Sequence, residues 1–103
     1  MEALEYNTAL AKLLKQLKKD LGATAVRQNY RGTGSQKFRR QLYVTFTEFT
    51  IDLWLDANSV GLGGVMTRLG RLTKTDRTPE QMYEAVRAAL ETALTELRGR
   101  VAA

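Results

Sequence analysis

The spacing of apolar residues changes twice along this chain, and this constrains the fold more than any single motif. Leu10, Leu13, Leu14, Leu17 and Leu21 lie three and four apart, as on one stripe of an amphipathic helix. Asn7 or an earlier residue is the expected cap of this helix, and Gly22 its expected end. From Thr24 the period becomes two. Thr24 to Tyr30 alternates with Val26, Gln28 and Tyr30 on one side, and Phe38 to Thr47 places Leu42, Val44 and Phe46 opposite Gln41, Tyr43 and Thr45. Ile51, Leu53 and Leu55 alternate with Asp52, Trp54 and Asp56. A last strand from Val60 to Leu69 or Leu72 is rich in glycine (Gly61, Gly63, Gly64, Gly70), which points to a bulge or a close backbone approach. At Thr78-Pro79-Glu80-Gln81 the helical period returns behind a capping box with proline at the first helical position, and Tyr83, Val86, Leu90, Leu94, Leu97 and Val101 form the stripe.

A helix, three or four strands joined by short turns, and a second helix have few ways to pack. The expected fold is a single α+β domain over residues 1–103: a two-layer sandwich, α-β-β-β(-β)-α, with an antiparallel meander sheet and both helices on one face. Helix, strands, helix is also the order of double-stranded-RNA-binding domains, and the chain resembles them in that order alone. Thr78-Pro79-Glu80-Gln81 stands where that family carries a lysine cluster, and the glycine-rich strand has no counterpart there.

Two layers leave one sheet face uncovered. Taking Glu48-Phe49 as a two-residue turn pairs Tyr43 with Trp54, and a following turn at Asn58-Ser59 sets Gly63 opposite Trp54. Strand parity then gathers Arg27, Asn29, Arg39, Gln41, Tyr43 and Trp54 on the open face. Flat rings with guanidinium and amide donors around them suit a stacked base and its phosphate.

Charge is uneven along the chain. Sixteen Lys and Arg stand against eleven Asp and Glu, a formal +5. Residues 22–40 hold Arg27, Arg31, Lys37, Arg39 and Arg40 with no acid, and residues 68–77 hold Arg68, Arg71, Lys74 and Arg77 against Asp76 alone. Both stretches suit contacts to phosphates. The expected function is a small non-catalytic nucleic-acid-binding protein, for DNA or RNA, with Arg27, Arg31, Lys37, Arg39, Tyr43, Trp54, Arg68, Arg71, Lys74 and Arg77 as binding residues. The alternative is a protein-binding regulator, inhibitor or adaptor acting through a protein partner, and a homodimer through the open face or an edge strand is compatible with either.

Catalysis and cofactors are not expected. Cys and His are both absent, which removes thiol nucleophiles, imidazole bases and Cys/His metal sites. The Arg31–Lys37 stretch has neither the Walker spacing nor a dinucleotide fingerprint. Glu48, Asp52 and Asp56 read as surface acids balancing arginines rather than metal ligands. Glu2 and Glu5 stand where a signal peptide would carry basic residues, and no apolar run is long enough to span a bilayer, so the expectation is a cytoplasmic protein without a membrane partner.

Overall fold

A computed structural model describes residues 1–64 and 68–102, with residues 68, 101 and 102 described by backbone alone. The elements, in order, are α1 (Ala3–Leu14), α2 (Leu17–Asp20), β1 (Ala25–Arg31), β2 (Arg40–Thr45), β3 (Thr50–Leu55), β4 (Ser59–Gly64), β5 (Arg68–Thr73) and α3 (Pro79–Ala102). The strands form one antiparallel sheet in the order β1-β2-β3-β4-β5. It is an α+β meander with its helices over one face, as the periodicity implies. The expected long last strand is instead a hairpin, β4 and β5, whose connecting residues 65–67 lie outside the described residues.

The core lies between the sheet and the helices. Leu42, Val44, Ile51, Leu53, Leu55 and Val60 come from the strands, Leu10, Leu14 and Leu17 from the first helical arm, and Met82, Val86 and Leu90 from α3, all essentially sealed from water. Burying each such side chain contributes roughly 1.5–3 kcal/mol before entropy is charged. Gly22 ends the first arm with a φ of +73°, and the Ala23 N–H returns to the Leu17 carbonyl. At the start of α3, Gln81 N–H donates to Thr78 Oγ1 at 3.1 Å and Thr78 N–H donates to Gln81 Oε1 at 2.8 Å, the reciprocal capping box. Leu97 is only half-buried, and Val101, the last expected core position, lies outside the described side chains.

The β2–β3 register differs from the expected one by two residues. Thr45 faces Thr50, Tyr43 faces Asp52, and Gln41 faces Trp54. The loop is Phe46–Phe49, closed by Phe46 N–H to the Phe49 carbonyl at 2.8 Å. Both phenylalanines turn inward, with ring centroids 6.0 Å apart, and leave Thr47-Glu48 at the exposed tip. A two-residue turn would have put Phe49 in water. Likewise the β3–β4 turn closes between Asp56 and Ser59, so Gly61 rather than Gly63 faces Trp54.

Asn7 is not a cap. Glu2 precedes α1 without a side-chain cap, and Asn7 sits within the helix at 0% exposure. Its Nδ2 donates to the Phe38 and Asp56 carbonyls at 2.9 and 3.0 Å, and its Oδ1 accepts from the Lys74 ammonium. One amide thus ties α1 to the rim of the sheet at three places.

Candidate functional site on the open sheet face

Residues paired across antiparallel strands point to the same side, so the register lays out the open face in rows. One row runs Arg27, Tyr43, Asp52 and Gly63, with the backbone of Arg68 at its end. The next runs Tyr30, Gln41, Trp54, Gly61 and Arg71. Tyr30 belongs there because the β1–β2 register shifts between Gln28 and Tyr30. This bulge reverses the parity that would have sent the ring to the core. It also places Arg31 opposite Arg40, on the helix side.

Tyr30 and Trp54 remain 41% and 40% exposed, the two aromatic rings of this chain most open to water among the described residues. They stand two strands apart, about 10 Å by strand spacing. Tyr43 is half-buried, its hydroxyl accepting from Asn29 Nδ2 at 3.1 Å, and Asn29 also reaches Gln41 Oε1 at 3.4 Å.

Beside Trp54 the face is hollowed into a trough of about 640 Å³, floored by Gly61, Gly63 and Gly64 and walled by Trp54, Arg39 and Arg71. A methyl group added at Gly61 would meet Arg71 Nη2 at 3.5 Å and Trp54 Cβ at 3.7 Å. At Gly61 the floor is therefore one glycine wide between the Trp54 Cβ and the Arg71 guanidinium. Asp56 lies 3.1 Å from Arg39 Nε, although that N–H is not in hydrogen-bond alignment, and 3.3 Å from Arg71 Nη1. Arg71 Nη1 also donates to Ser59 Oγ at 2.7 Å. Both arginines are 40% or more exposed, so each pair contributes no more than about 1 kcal/mol; Arg39 Nε is itself closed to water, while a phosphate can compete with Asp56 for Arg71 Nη1. Asp52 has no ion-pair partner among the described residues, and burial pushes its carboxyl above the ordinary 3.8.

The expected binding residues thus divide. Arg27, Arg39, Tyr43, Trp54 and Arg71 share the open face. Lys37 is exposed in the β1–β2 loop, where Gly32 closes so tightly on Gln36 that a Cβ would fall 1.8 Å from the Gln36 carbonyl oxygen. Arg31 faces the helix side. The side chain of Arg68 lies outside the described ones.

Lys74 and Arg77 turn away from the open face. Lys74 Nζ donates to Asn7 Oδ1 and to the Asp56 and Ala57 carbonyls, and lies 4.6 Å from the Tyr6 ring centroid. Arg77 Nη1 donates to the Thr73 carbonyl at 3.0 Å. Both line a cavity of about 730 Å³ with Tyr6 and Pro79, at the end of the sheet where α1 and α3 begin. Sequence reasoning missed Tyr30 and Arg40. Arg40 was legible from parity: Arg39 and Arg40 are neighbours on a strand, so one of them must face the helices.

Lys74 gives a pH signature. Burial lowers its ammonium from the ordinary 10.5 to about 8. Between those values the unfolded chain holds a proton that the folded chain has released, so raising pH through this window favours folding. Tyr83, whose hydroxyl donates to Asp20 Oδ2, is shifted upward from 10.0, chiefly by burial and that hydrogen bond. Stability tied to it is present below pH 10 and is lost above it. Urea midpoints are expected to rise from pH 8 towards 10 and fall beyond. The first slope should vanish in Lys74→Met, and a flat or falling wild-type profile between 8 and 9.5 would contradict the assignment.

The chain matches no protein-family model, no curated protein and no solved structure.

Proposed function

We propose that this protein is a small, non-catalytic nucleic-acid-binding module that holds a single strand across its open sheet face. The observation that carries the reading is the pair of exposed rings, Tyr30 and Trp54, in one cross-strand row on the face without helices. Splayed bases stack on such platforms, each contributing roughly 1–3 kcal/mol, whatever the sequence. Arg27, Arg39 and Arg71 stand around the rings to meet phosphates, and Lys37 adds positive charge in the exposed β1–β2 loop. Asp52 supplies an acceptor for the amino groups of a base seated over the glycine floor.

A second reading, recognition of a protein partner, draws support from the same trough. An indole beside the carboxylate of Asp52 also suits a partner's Arg or Lys side chain. A salt titration with a fluorescent single-stranded oligonucleotide separates the two. Four neutralised phosphates give a log–log slope of about −2.8 at roughly 0.7 per contact on a single strand. Affinity that does not change with salt, or no binding at low salt, would reject the nucleic-acid reading and leave the partner reading.

The structure describes no helix long and apolar enough to cross a membrane, so the proposed partners are a polyanion or a protein rather than a bilayer interior.

A further inference from the structure

On the opposite side of the molecule, Arg40 is 6% exposed and has no carboxylate within ion-pair distance among the described residues. Its Nη1 donates to Gln28 Oε1 at 2.9 Å and its Nη2 to Thr8 Oγ1 at 2.8 Å, while its Nε has no acceptor. Two neutral oxygens serve two of the five N–H donors of a guanidinium and do nothing for its charge. A buried cation without a counter-ion is costly in a folded protein. Here its neighbours increase that cost. Arg31 stands opposite it in the β1–β2 register and acts on it with like charge.

The surroundings form a site. A cleft of about 200 Å³ between α1 and β1 is lined by Thr8, Lys12 and Lys15 from the helix, Gln28 from β1 and Arg40 from β2. Lys12 and the C-cap residue Lys15 lie four and seven residues after Thr8, so one helix stripe brings two lysines to the same opening, while the Thr8 hydroxyl is already engaged, donating to the Leu4 carbonyl at 2.7 Å and accepting from Arg40. The volume is below the roughly 300 Å³ at which sites for whole small molecules begin, and it suits a phosphoryl group rather than a nucleoside.

We propose that the α1–β1 cleft is an anion site that takes a phosphoryl group, with the Arg40 guanidinium as its buried base and Lys12 and Lys15 as its rim. The site lies across the sheet from the aromatic rows and stands independently of the single-strand reading. The phosphoryl group can belong to free phosphate or to the 5′ end of a nucleic acid, and both present the same oxygens to the same donors.

The test is a titration of the intact protein with inorganic phosphate at constant ionic strength, read by the Arg40 Nε–H NMR signal and by Tm. The signal should move saturably and Tm should rise with phosphate, as ligand linkage requires. In Lys12→Gln/Lys15→Gln, whose positions are exposed and tolerate change, affinity should fall about tenfold or more. In Arg40→Met the phosphate-dependent rise in Tm should disappear; if that variant does not fold, the lysine pair decides. A short oligonucleotide with and without a 5′-phosphate identifies the source: a shift of the Arg40 signal confined to the phosphorylated form indicates a strand end, no shift with either form beside a saturable response to inorganic phosphate indicates free phosphate, and an equal shift with both would overturn the assignment in favour of backbone phosphodiesters. A non-saturating drift up to about 50 mM phosphate, or a response unchanged in the lysine pair, would overturn the site whatever the sheet face binds.

Discussion

Asn7→Ala is expected to lower stability by about 3–4 kcal/mol, the largest loss from any polar substitution in this chain. The amide has 0% exposure and donates to two carbonyls at 2.9 and 3.0 Å, those of Phe38 and Asp56, and to Leu55 at 3.4 Å. Alanine takes the side-chain donor from the Phe38 carbonyl and leaves the part-buried Asp56 carbonyl to the Lys74 ammonium, at about 1–3 kcal/mol for each well-made bond lost. It also takes one acceptor from the Lys74 ammonium. For a domain of this size about 3 kcal/mol lowers Tm by roughly 12–24 °C, readily measured by thermal melts followed by circular dichroism. Asn7→Asp keeps the volume but carries no donor, so it should remain well below wild type. A near-native melt for either variant would mean that the carbonyls find other partners.

The same residue shows where sequence reasoning reaches its limit. Period and capping chemistry are local, so the α+β order, the Thr78–Gln81 box, the Gly22 stop and the inward faces of β2 and β3 were all legible. Asn7 looked like a cap because asparagine favours that position, yet its partners lie 31 and 49 residues away. Lys74 misled in the same way. A lysine in a basic, loop-like stretch reads as solvated, and only the tertiary fold brings the Asn7 amide and two turn carbonyls around its amine.

Register behaves differently from parity. Which face Tyr43 and Trp54 occupy follows from counting by twos, and the count holds when the turn moves by an even number of residues. Their partners do not survive that shift: Tyr43 meets Asp52, not Trp54, because Phe46 and Phe49 both bury and lengthen the loop. A bulge changes parity itself. The extra residue in β1 sends Tyr30 outward and Arg31 inward, and no residue at Gln28-Asn29-Tyr30 announces it in the sequence. The candidate face was therefore legible where strands are regular and hidden where they are not.

Trp54→Ala is expected to weaken single-strand binding by about 5- to 150-fold, the equivalent of roughly 1–3 kcal/mol of lost stacking. Its melt should stay within about 0.5 kcal/mol of wild type, since the ring is 40% exposed and stands opposite Gly61 rather than in the core. The loss should be the same at every salt concentration, because stacking releases no counterions. Replacing Arg27 and Lys37 with glutamine should do the reverse. These side chains are exposed and have no ion-pair partner among the described residues, so each removed phosphate contact should flatten the log–log slope by about 0.7, roughly 1.4 units in all. Affinity for the double variant should then approach wild type as salt rises, while Trp54→Ala stays below both. If the indole is instead a socket for a partner protein's cation, Trp54→Ala leaves oligonucleotide affinity untouched, and the two variants cease to separate a stacking contribution from a charge contribution.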